Sequence, residues 1–335
     1  MKYKIFAVLV LAVLALNLVG STFADSKVKK AGANDLVSLL PASDGVVTID
    51  VKRFFVDALP KVLSSNQPML AHVTGEIEKF QQKSGIDIRQ FEYLAAGATT
   101  TKKVGEKKYD LDPVVIARGQ ISASALIGAA KLATKGKYTE ERVGERTIYI
   151  FSGQGIVGNN AQVKSGDVVA VTTIDTMTIA FGSLGRVRET LQGRSKVGTD
   201  LTSLLVRNPA AVTSFAAKLP AGMRSFIPID NDELGKNIDS IQYVYGDADV
   251  AGENANLHMA ARTLGAAQAK SLYETLEGLQ MLGKAFLGSA KGADKQVYSR
   301  MIENAKFSVR SNEVTLDLTV PQRDIDILVG SLKSK

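Results

Sequence analysis

The segment Asp35-Leu36-Val37-Ser38-Leu39-Leu40 recurs in the second half of the chain as Asp200-Leu201-Thr202-Ser203-Leu204-Leu205. At the same spacing, Val47-Thr48 is matched by Val212-Thr213. A repeat at a fixed offset indicates that a chain is built from copies of one unit. The sequence therefore predicts a duplicated body with one copy in each half.

The strand and helix patterns after each copy run in the same order. Each half continues with a strand, a polar loop that contains glycine, a second strand with an Ala-Arg pair, and a helical stretch. Each half then closes with a hairpin and a helix, and the hairpin turns carry Asp or Asn, which bond locally to the backbone. The matched stretches are Phe91–Leu94 with Ile241–Val244, Val114–Ile121 with Leu257–Leu264, Ala117-Arg118 with Ala261-Arg262, and the helix starts at Ser122 and Gly265.

These patterns predict an α+β fold with two related lobes, 34–195 and 196–332. Each lobe is expected to be an antiparallel sheet covered by helices on one face, because an apolar sheet face must be buried against a second layer. Residues 25–33 are expected to form a flexible segment before the first lobe.

Two of the helical patterns carry an apolar stripe. Apolar side chains recur at intervals of four and three, which is the period of one helix face. Packing against the sheet is the expected role of both stripes, and contact with a partner or with lipid is the alternative. The stripes are Leu272, Leu276, Leu279, Gly283, Phe286 and Ala290, and Met69, Val73, Ile77 and Phe80.

The first 24 residues have the three-part pattern of a secretory signal peptide. Two lysines precede an apolar stretch at 5–19, and small residues precede a cleavage point between Ala24 and Asp25. The apolar stretch is shorter than the roughly 20 residues that a membrane-spanning helix needs. We therefore predict an exported chain, periplasmic or extracellular, with no transmembrane span after cleavage; an uncleaved anchor is the alternative.

Composition narrows the classes of function. The chain has 335 residues, 45% hydrophobic and 22% charged, which excludes a disordered protein. It has no Cys and only two histidines, which excludes disulfides, thiolate metal sites and a histidine-rich metal centre. Cleavage removes two of the 41 basic residues and none of the 34 acidic ones, which leaves a net charge of +5. That charge favours anionic surfaces such as lipid headgroups or envelope polymers.

Two glycine motifs resemble phosphate-binding loops but lack the necessary context. Gly153–Gly158 spells G-x-G-x-x-G, yet only the polar residues 159–167 separate it from the next strand, so no helix follows to meet a dinucleotide. Gly278–Lys284 spells G-x-x-x-x-G-K, but Ala285 stands where a phosphate loop has Ser or Thr. Neither motif predicts a nucleotide site.

Two acidic stretches begin like calcium loops. The one from Asp230 has Leu234 at position five and Ile241 at position twelve, where oxygen ligands are needed. The one from Asp247 has His258 at position twelve. Solvated turns are the expected role of both stretches, with non-standard calcium binding as the alternative, and we predict no metal site and no cofactor.

No arrangement of residues typical of catalysis is found. The sequence has no G-x-S-x-G elbow, no H-E-x-x-H and no cysteine nucleophile. His72 lies in the first apolar-striped helix and His258 lies in a strand. Either could act as a general base, but a single His without a nucleophile at a recognisable spacing is more often a partly buried side chain with a satisfied hydrogen bond. We predict no catalytic residue and a protein that is not an enzyme.

A cluster of basic residues lies in the loop after the first lobe's opening strand, and it consists of Lys102, Lys103, Lys107 and Lys108. A solvated loop is the simpler interpretation, and contact with an anionic envelope component or an acidic partner is the alternative. Nucleic acid is not an expected partner, because aromatic residues are 6% of the chain, Trp is absent, and no stacking motif is interleaved with the lysines.

Several stretches along the mature chain carry a family resemblance: Leu39-Leu40-Pro41 before Val46–Asp50, then Ser84–Ile88, Val115–Gly119, Tyr149 and Val314–Pro321. In these stretches and in its order of elements the chain resembles a poorly characterised group of secreted bacterial proteins of unknown function with duplicated α+β lobes. The resemblance implies an extracytoplasmic globular protein. It implies no activity and no site residues.

The leading hypothesis is an extracytoplasmic, non-enzymatic binding or interaction protein whose partner is an anionic envelope component or another envelope protein. Two related lobes could hold a ligand in a cleft between them. A hydrolase-type enzyme with a site built from loops is a second hypothesis, because fold does not decide function. A structural or assembly component of the envelope, which would associate through its apolar helix faces, is the third. The sequence does not determine the oligomeric state.

Overall fold

The computed structural model describes residues 32–102, 109–152, 168–205, 207–208, 210–220, 232–287 and 292–331. Within these ranges the chain combines helices and strands around one large antiparallel sheet, in agreement with the predicted α+β class. The predicted signal peptide, its cleavage point at Ala24 and Asp25, and residues 25–31 of the predicted flexible segment lie outside the described residues.

The elements follow the order that the sequence indicates. The strands are β1 Gly45–Asp50, β2 Phe91–Lys102, β3 Tyr109–Gly119, β4 Tyr138–Val143, β5 Arg146–Ser152, β6 Val168–Thr173, β7 Thr178–Gly182, β8 Thr213–Lys218, β9 Ile241–Ala251, β10 Asn254–Thr263, β11 Lys306–Arg310 and β12 Glu313–Pro321. The helices are α1 Ala33–Val37, α2 Val51–Arg53, α3 Leu59–Val62, α4 Gln67–Ser84, α5 Ala123–Ala133, α6 Leu184–Gln192, α7 Thr199–Leu205, α8 Asp232–Asp239, α9 Ala266–Leu287, α10 Ala293–Asn304 and α11 Gln322–Ser331. A π-helical turn, Phe54–Ala58, joins α2 to α3, and a 3₁₀ turn, Ile88–Gln90, precedes β2.

The twelve strands found in the described ranges belong to one sheet, in the order β11-β12-β10-β9-β8-β1-β2-β3-β7-β6-β5-β4. Every neighbouring pair is antiparallel. The middle of the sheet is the pair β1 and β8, in which Thr48 lies opposite Ser214. The two sheets expected from the sequence are therefore joined edge to edge through these two strands.

The strand order is the same on both sides of that central pair. It reads β1-β2-β3-β7-β6 in one direction and β8-β9-β10-β12-β11 in the other, and the hairpin β4–β5 extends the first side alone. A β-bulge, in which one strand carries an extra residue, lies near the start of the second strand on each side. The extra residues are Glu92 in β2 and Gln242 in β9, opposite Arg118-Gly119 and Arg262-Thr263.

The register corrects one detail of the repeat. The repeat matches Leu94 with Val244, so the residues that follow them, Ala95 and Tyr245, are also equivalent. Ala95 pairs with Thr48, and Tyr245 pairs with Ala216. In this frame the match for Thr48 is Ala216 and not Thr213, so the sequence match of Val47-Thr48 with Val212-Thr213 is out of register. Short apolar strand segments resemble one another at several offsets, which is why the sequence alone selected the wrong one.

Helices cover both faces of the sheet, and the expectation of helices on one face is wrong. Successive side chains of a strand point to opposite faces, yet Ile116 and Ala117 of β3 are both buried. Ile116 belongs to a core cluster that includes residues of α1, α6 and α7, whereas Ala117 belongs to a cluster with residues of α5. In the other half, Ala260 belongs to the same core cluster as Ile116, and Leu257 packs with α3, α4 and α11. Strands in the middle of the sheet are apolar on both sides and need cover on both.

Gly246 of β9 provides a test of the sheet packing. A methyl group at this position would lie 2.2 Å from the carbonyl oxygen of His258 on β10. We expect Gly246→Ala to lower the free energy of unfolding by about 3 kcal/mol, the upper end of the usual cost of overpacking. Urea unfolding measures the change.

The matched control is Gly75→Ala in α4, where nothing lies within 4 Å of the added methyl group. This variant is expected to gain up to about 1 kcal/mol, because Ala favours a helix interior over Gly. Equal losses in the two variants would contradict the packing described for β9 and β10.

Candidate functional site

A cavity of about 580 Å³ opens between α5 and the strands β5 and β6. The residues that α5 contributes are Ser124, Ile127, Gly128 and Lys131, whose spacing places them on one face of the helix. Nothing lies within 4 Å of the position that a Cβ would take at Gly128. The small side chains at 124 and 128 therefore leave a gap between the helix and the sheet, and this gap is the candidate site.

The sheet side of the cavity is a row of hydroxyl groups. Thr147 and Tyr149 alternate along β5 and so share a face, and Thr173 ends the neighbouring strand β6. The pairing of Tyr149 with Val171 brings Thr147 beside Thr173. The row offers hydrogen-bond donors and acceptors to a polar molecule.

Lys131 holds a fixed positive charge at the cavity. Its Nζ lies 4.1 Å from the centroid of the Tyr149 ring and 4.6 Å from that of Tyr138, and it donates to Glu140 Oε1 at 3.2 Å. Burial acts to lower the pKa of the ammonium, but hydrogen bonds to Tyr138 and Glu140 outweigh it and raise the pKa of Lys131. Lys131 is therefore protonated at neutral pH.

The turn between β4 and β5 brings two charged residues to the mouth of the cavity. Gly144 has a φ of 59°, in the left-handed region that glycine adopts at no steric cost. Glu145 and Arg146 follow it, and both are exposed and line the cavity. Arg146 Nη1 donates to the backbone oxygen of Thr173 at 3.2 Å. This bond positions the guanidinium beside the hydroxyl row and uses one of its five N–H donors.

The side chains that line the cavity can form hydrogen bonds and ion pairs with a bound molecule. A hydroxyl nucleophile needs a base beside it, and neither His72 nor His258 lines the cavity. The hydroxyl of Ser124 shares its hydrogen bond with Ser122, at 2.9 Å. Hydrogen bonding and charge recognition are the chemistry that this arrangement supports.

The two histidines lie elsewhere. His72 is exposed on α4, unlike the partly buried side chain that was expected. His258 on β10 is partly buried and has a partner, as expected, because its Nδ1 lies 2.7 Å from Asp317 Oδ1 on β12. On the opposite side of β10, His258 pairs with Asp247 on β9. The three side chains therefore form a row across three strands.

Hydrogen bonds hold both aspartates of the row, since Asp317 contacts His258 and Asp247 accepts from Asn208. Burial raises the pKa of Asp247, while the Asn208 amide, which donates to Asp247 Oδ1 at 2.6 Å, and the His258 charge oppose the shift. Across the ranges that the structure describes, no group of three or more His, Asp and Glu side chains is placed to hold a metal ion. The two aspartates that resembled a calcium loop, Asp247 and Asp249, lie within β9 and not in a turn.

The apolar stripe of α9 leaves the sheet halfway along the helix. Leu272 is buried, but Leu279 is 44% exposed and Phe286 is 78% exposed. Leu282, 55% exposed, joins these two on one face at helical spacing. The core role expected for the stripe is therefore wrong for Leu279 and Phe286, and Ala290 lies outside the described residues. We call Leu279, Leu282 and Phe286 the exposed α9 face.

The helix α10 explains why α9 can extend past the sheet. Gly283 packs against the side chain of Ile302, and the Gln280 amide donates to the carbonyls of Ile302 and Ala305 at 2.6 and 2.7 Å. These contacts support one side of α9 and leave the other open. In the α4 stripe the expectation of packing is met by Ile77, which is buried, and is wrong for Phe80, which is exposed.

Of the four lysines in the predicted basic cluster, one lies among the described residues. Lys102 ends β2, and Lys103, Lys107 and Lys108 lie outside the described residues, so their contact with an anionic surface stays a prediction. The motif Gly153–Gly158 also lies outside them, and Gly278–Lys284 lies inside α9. In the described part of the chain, no helix combines the length and the apolar character that crossing a membrane requires.

The sequence does not indicate the cavity, because its lining residues belong to no known motif and Tyr149 carries only a family resemblance. One signal was present: Ser124 and Gly128 put small residues on the same face as Lys131, in a helix that was otherwise apolar. The position of that face over the β5–β6 strands depends on the sheet order, which the sequence does not show.

Comparisons with known proteins assign this chain to no family. No protein-family model matches the chain, and no curated protein does. The chain is similar to three structures of TP0453: crystal form IV (8% identity, TM-score 0.45, covering 88% of this chain and 95% of that one), form III (9%, 0.43, 88% and 97%) and form I (12%, 0.43, 91% and 100%). At these scores the similarity carries no argument about function.

Asp247→Asn tests the electrostatics of the polar row. Because burial raises the pKa of Asp247 in the folded chain, its contribution to stability is present below the unfolded pKa and is lost as the pH rises through the folded pKa. The neutral amide avoids that loss and still accepts from Asn208. We expect the variant to be more stable at pH 7, by less than about 1 kcal/mol because the carboxylate is only partly buried.

Urea unfolding at pH 7 and pH 3 measures this effect. The difference between variant and wild type is expected to vanish at pH 3, where Asp247 is protonated in both states. A variant less stable than wild type at pH 7 would show that the attraction to His258 outweighs the burial of the carboxylate.

Proposed function

We propose that this chain is an exported, extracytoplasmic protein that binds a ligand and does not catalyse a reaction. The observation that carries the proposal is the cavity beneath α5, whose volume of about 580 Å³ lies within the range of small-molecule sites, roughly 300–1,000 Å³. Its lining offers donors, acceptors and charges without a nucleophile and base in contact. The signal-peptide pattern at 1–24 supports export to the periplasm or the exterior.

The proposal includes two related lobes, 34–195 and 196–332. The mirrored strand order about β1 and β8 and the bulges at Glu92 and Gln242 support a common origin of the two halves. The cavity lies within the first half, between α5 and the β5–β6 strands, and not in a cleft between lobes. In this proposal the site depends on the hairpin β4–β5, which has no counterpart among the described strands of the second half.

Filling the cavity tests the proposed function. Gly128→Leu places a side chain in open space, so the helix and the sheet are expected to be retained while the cavity is occupied. Wild-type protein from the envelope fraction of an exporting host is expected to carry a stoichiometric small-molecule adduct in native mass spectrometry. The variant is expected to lose it, with an unfolding temperature no lower than that of wild type, because Leu favours a helix over Gly.

The matched control is Gly75→Leu in α4, which also projects into open space but lies away from the cavity. This variant is expected to keep the adduct. A wild-type protein without an adduct, or an adduct that persists in Gly128→Leu, would contradict the proposal.

A second candidate function, assembly in the envelope, is favoured by the exposed α9 face. Contiguous exposed apolar side chains are typical of interaction sites, and Leu279, Leu282 and Phe286 form such a group. This function requires the exposed face to bind a partner, which is either a second copy or another envelope protein. The basic residues Lys102, Lys103, Lys107 and Lys108 remain a proposed contact for an anionic envelope component under either function.

Self-association through the exposed α9 face predicts a mass that rises with concentration in sedimentation equilibrium. Replacing Leu282→Ser and Phe286→Ser together removes apolar contact area and is expected to weaken association at least tenfold. The control pair is Val56→Ser with Leu132→Ser, at side chains 65% and 81% exposed elsewhere. A wild-type protein that stays monomeric at every concentration would exclude assembly from copies of this chain.

A further inference from the structure

We infer that the ligand of the cavity is a small hydroxylated organic anion, such as an acidic or phosphorylated sugar, and that Arg146 recognises its anionic group. The inference rests on the proposed binding function and adds the chemical class of the ligand. Three observations lead to it: the state of the two cations, the hydroxyl lining and the position of the one carboxylate among the lining residues.

The two cationic side chains of the lining, Lys131 and Arg146, differ in the contacts that they make within the protein. The charge of Lys131 is largely occupied, because its Nζ contacts Glu140 and two tyrosine rings. Arg146 has no carboxylate partner among the described residues, and its one hydrogen bond is to the neutral carbonyl of Thr173. A guanidinium with free N–H groups matches a carboxylate or a phosphate in a two-point contact. Counting only the described residues, Arg146 is thus the lining cation without a counter-ion.

The rest of the lining suits a ligand with several hydroxyl groups. Ser124, Thr147, Tyr149 and Thr173 each carry a hydroxyl that can donate or accept, and Ile127 is the apolar contribution of α5. An apolar ligand would form no hydrogen bonds with these groups, at a cost for each one that it buries. A polar ligand of sugar size fits within the volume and can form hydrogen bonds with these groups.

Glu145 provides a second test of whether the cavity prefers an anionic ligand. It is exposed at the mouth next to Arg146, where water and salt screen its charge. For an anionic ligand it is a weak repulsive neighbour. The amide of a glutamine at this position would remove the repulsion without changing the shape of the cavity.

The experiment titrates the protein with D-glucuronate and with D-glucose, which differ in one carboxylate, and with inorganic phosphate. Binding is followed by the NMR shift of the Ile127 side-chain methyl groups. Glucuronate is expected to bind at least tenfold more tightly than glucose, and Arg146→Met to remove that difference. Glu145→Gln is expected to strengthen glucuronate binding two- to fivefold, and Gly128→Leu to abolish all shifts.

Arg146→Lys separates recognition from folding. It keeps the charge but not the fork of donors, so it is expected to restore part of the affinity lost in Arg146→Met at an unchanged unfolding temperature. Phosphate that shifts Ile127 as strongly as glucuronate supports a phosphorylated ligand, and a glucuronate preference supports a carboxylated one.

Three results would overturn the inference: equal binding of glucose and glucuronate, an Arg146→Met variant that still prefers glucuronate, or no shift with any of the three probes. These outcomes are distinct from failure of the proposed function. That function fails when envelope-derived wild type carries no adduct, whereas a neutral or cationic adduct would overturn the anion assignment alone.

Discussion

The pairing of β1 with β8 is the constraint on which the rest of the structure depends. It joins strands far apart in the sequence and turns two strand sets into one sheet. Because both strands lie in the middle of that sheet, their two faces must be buried, and helices are needed on both sides. The repeated Leu-rich segments meet this need on one face, since Leu36 and Leu40 near α1 and Leu201 and Leu204 in α7 belong to the same core cluster as Ala216 of β8.

Local patterns were enough to predict most elements but not their arrangement. The hairpins β6–β7 and β11–β12, the helix starts after Ser122 and Gly265 and the closing helix from Gln322 are found where turn residues and periodicity indicated. The β1–β8 pair has no local signal, because its hydrogen bonds depend on a long-range approach that neither strand encodes alone. The same limit explains the wrong match of Thr48 with Thr213.

The candidate site was even harder to predict from local sequence patterns than the strand order. Lys131 and Tyr149 are ordinary residues in a predicted helix and a predicted strand, and neither carries a motif. Their contact at 4.1 Å follows from the way α5 crosses β5 and β6, which is set by the buried side chains Ala123 and Leu126. The prediction that the α9 stripe packs against the sheet was wrong for a different reason. The spacing of its apolar residues is that of a core helix, but the sheet ends before the helix does. Periodicity reports that a face is apolar and does not report what covers it.

The ends of the sheet have a further consequence. Its outermost strands, β4 and β11, have six and five residues, and β4 carries Glu140, Glu141 and Arg142 in succession. Short edges with charged side chains resist the addition of another strand, which would have to bury those charges against a new backbone. The ladder of hydrogen bonds therefore stops within one molecule. Copies that meet would do so side chain to side chain, as reversible contacts between helices, and not as a continuous sheet that grows into a fibre.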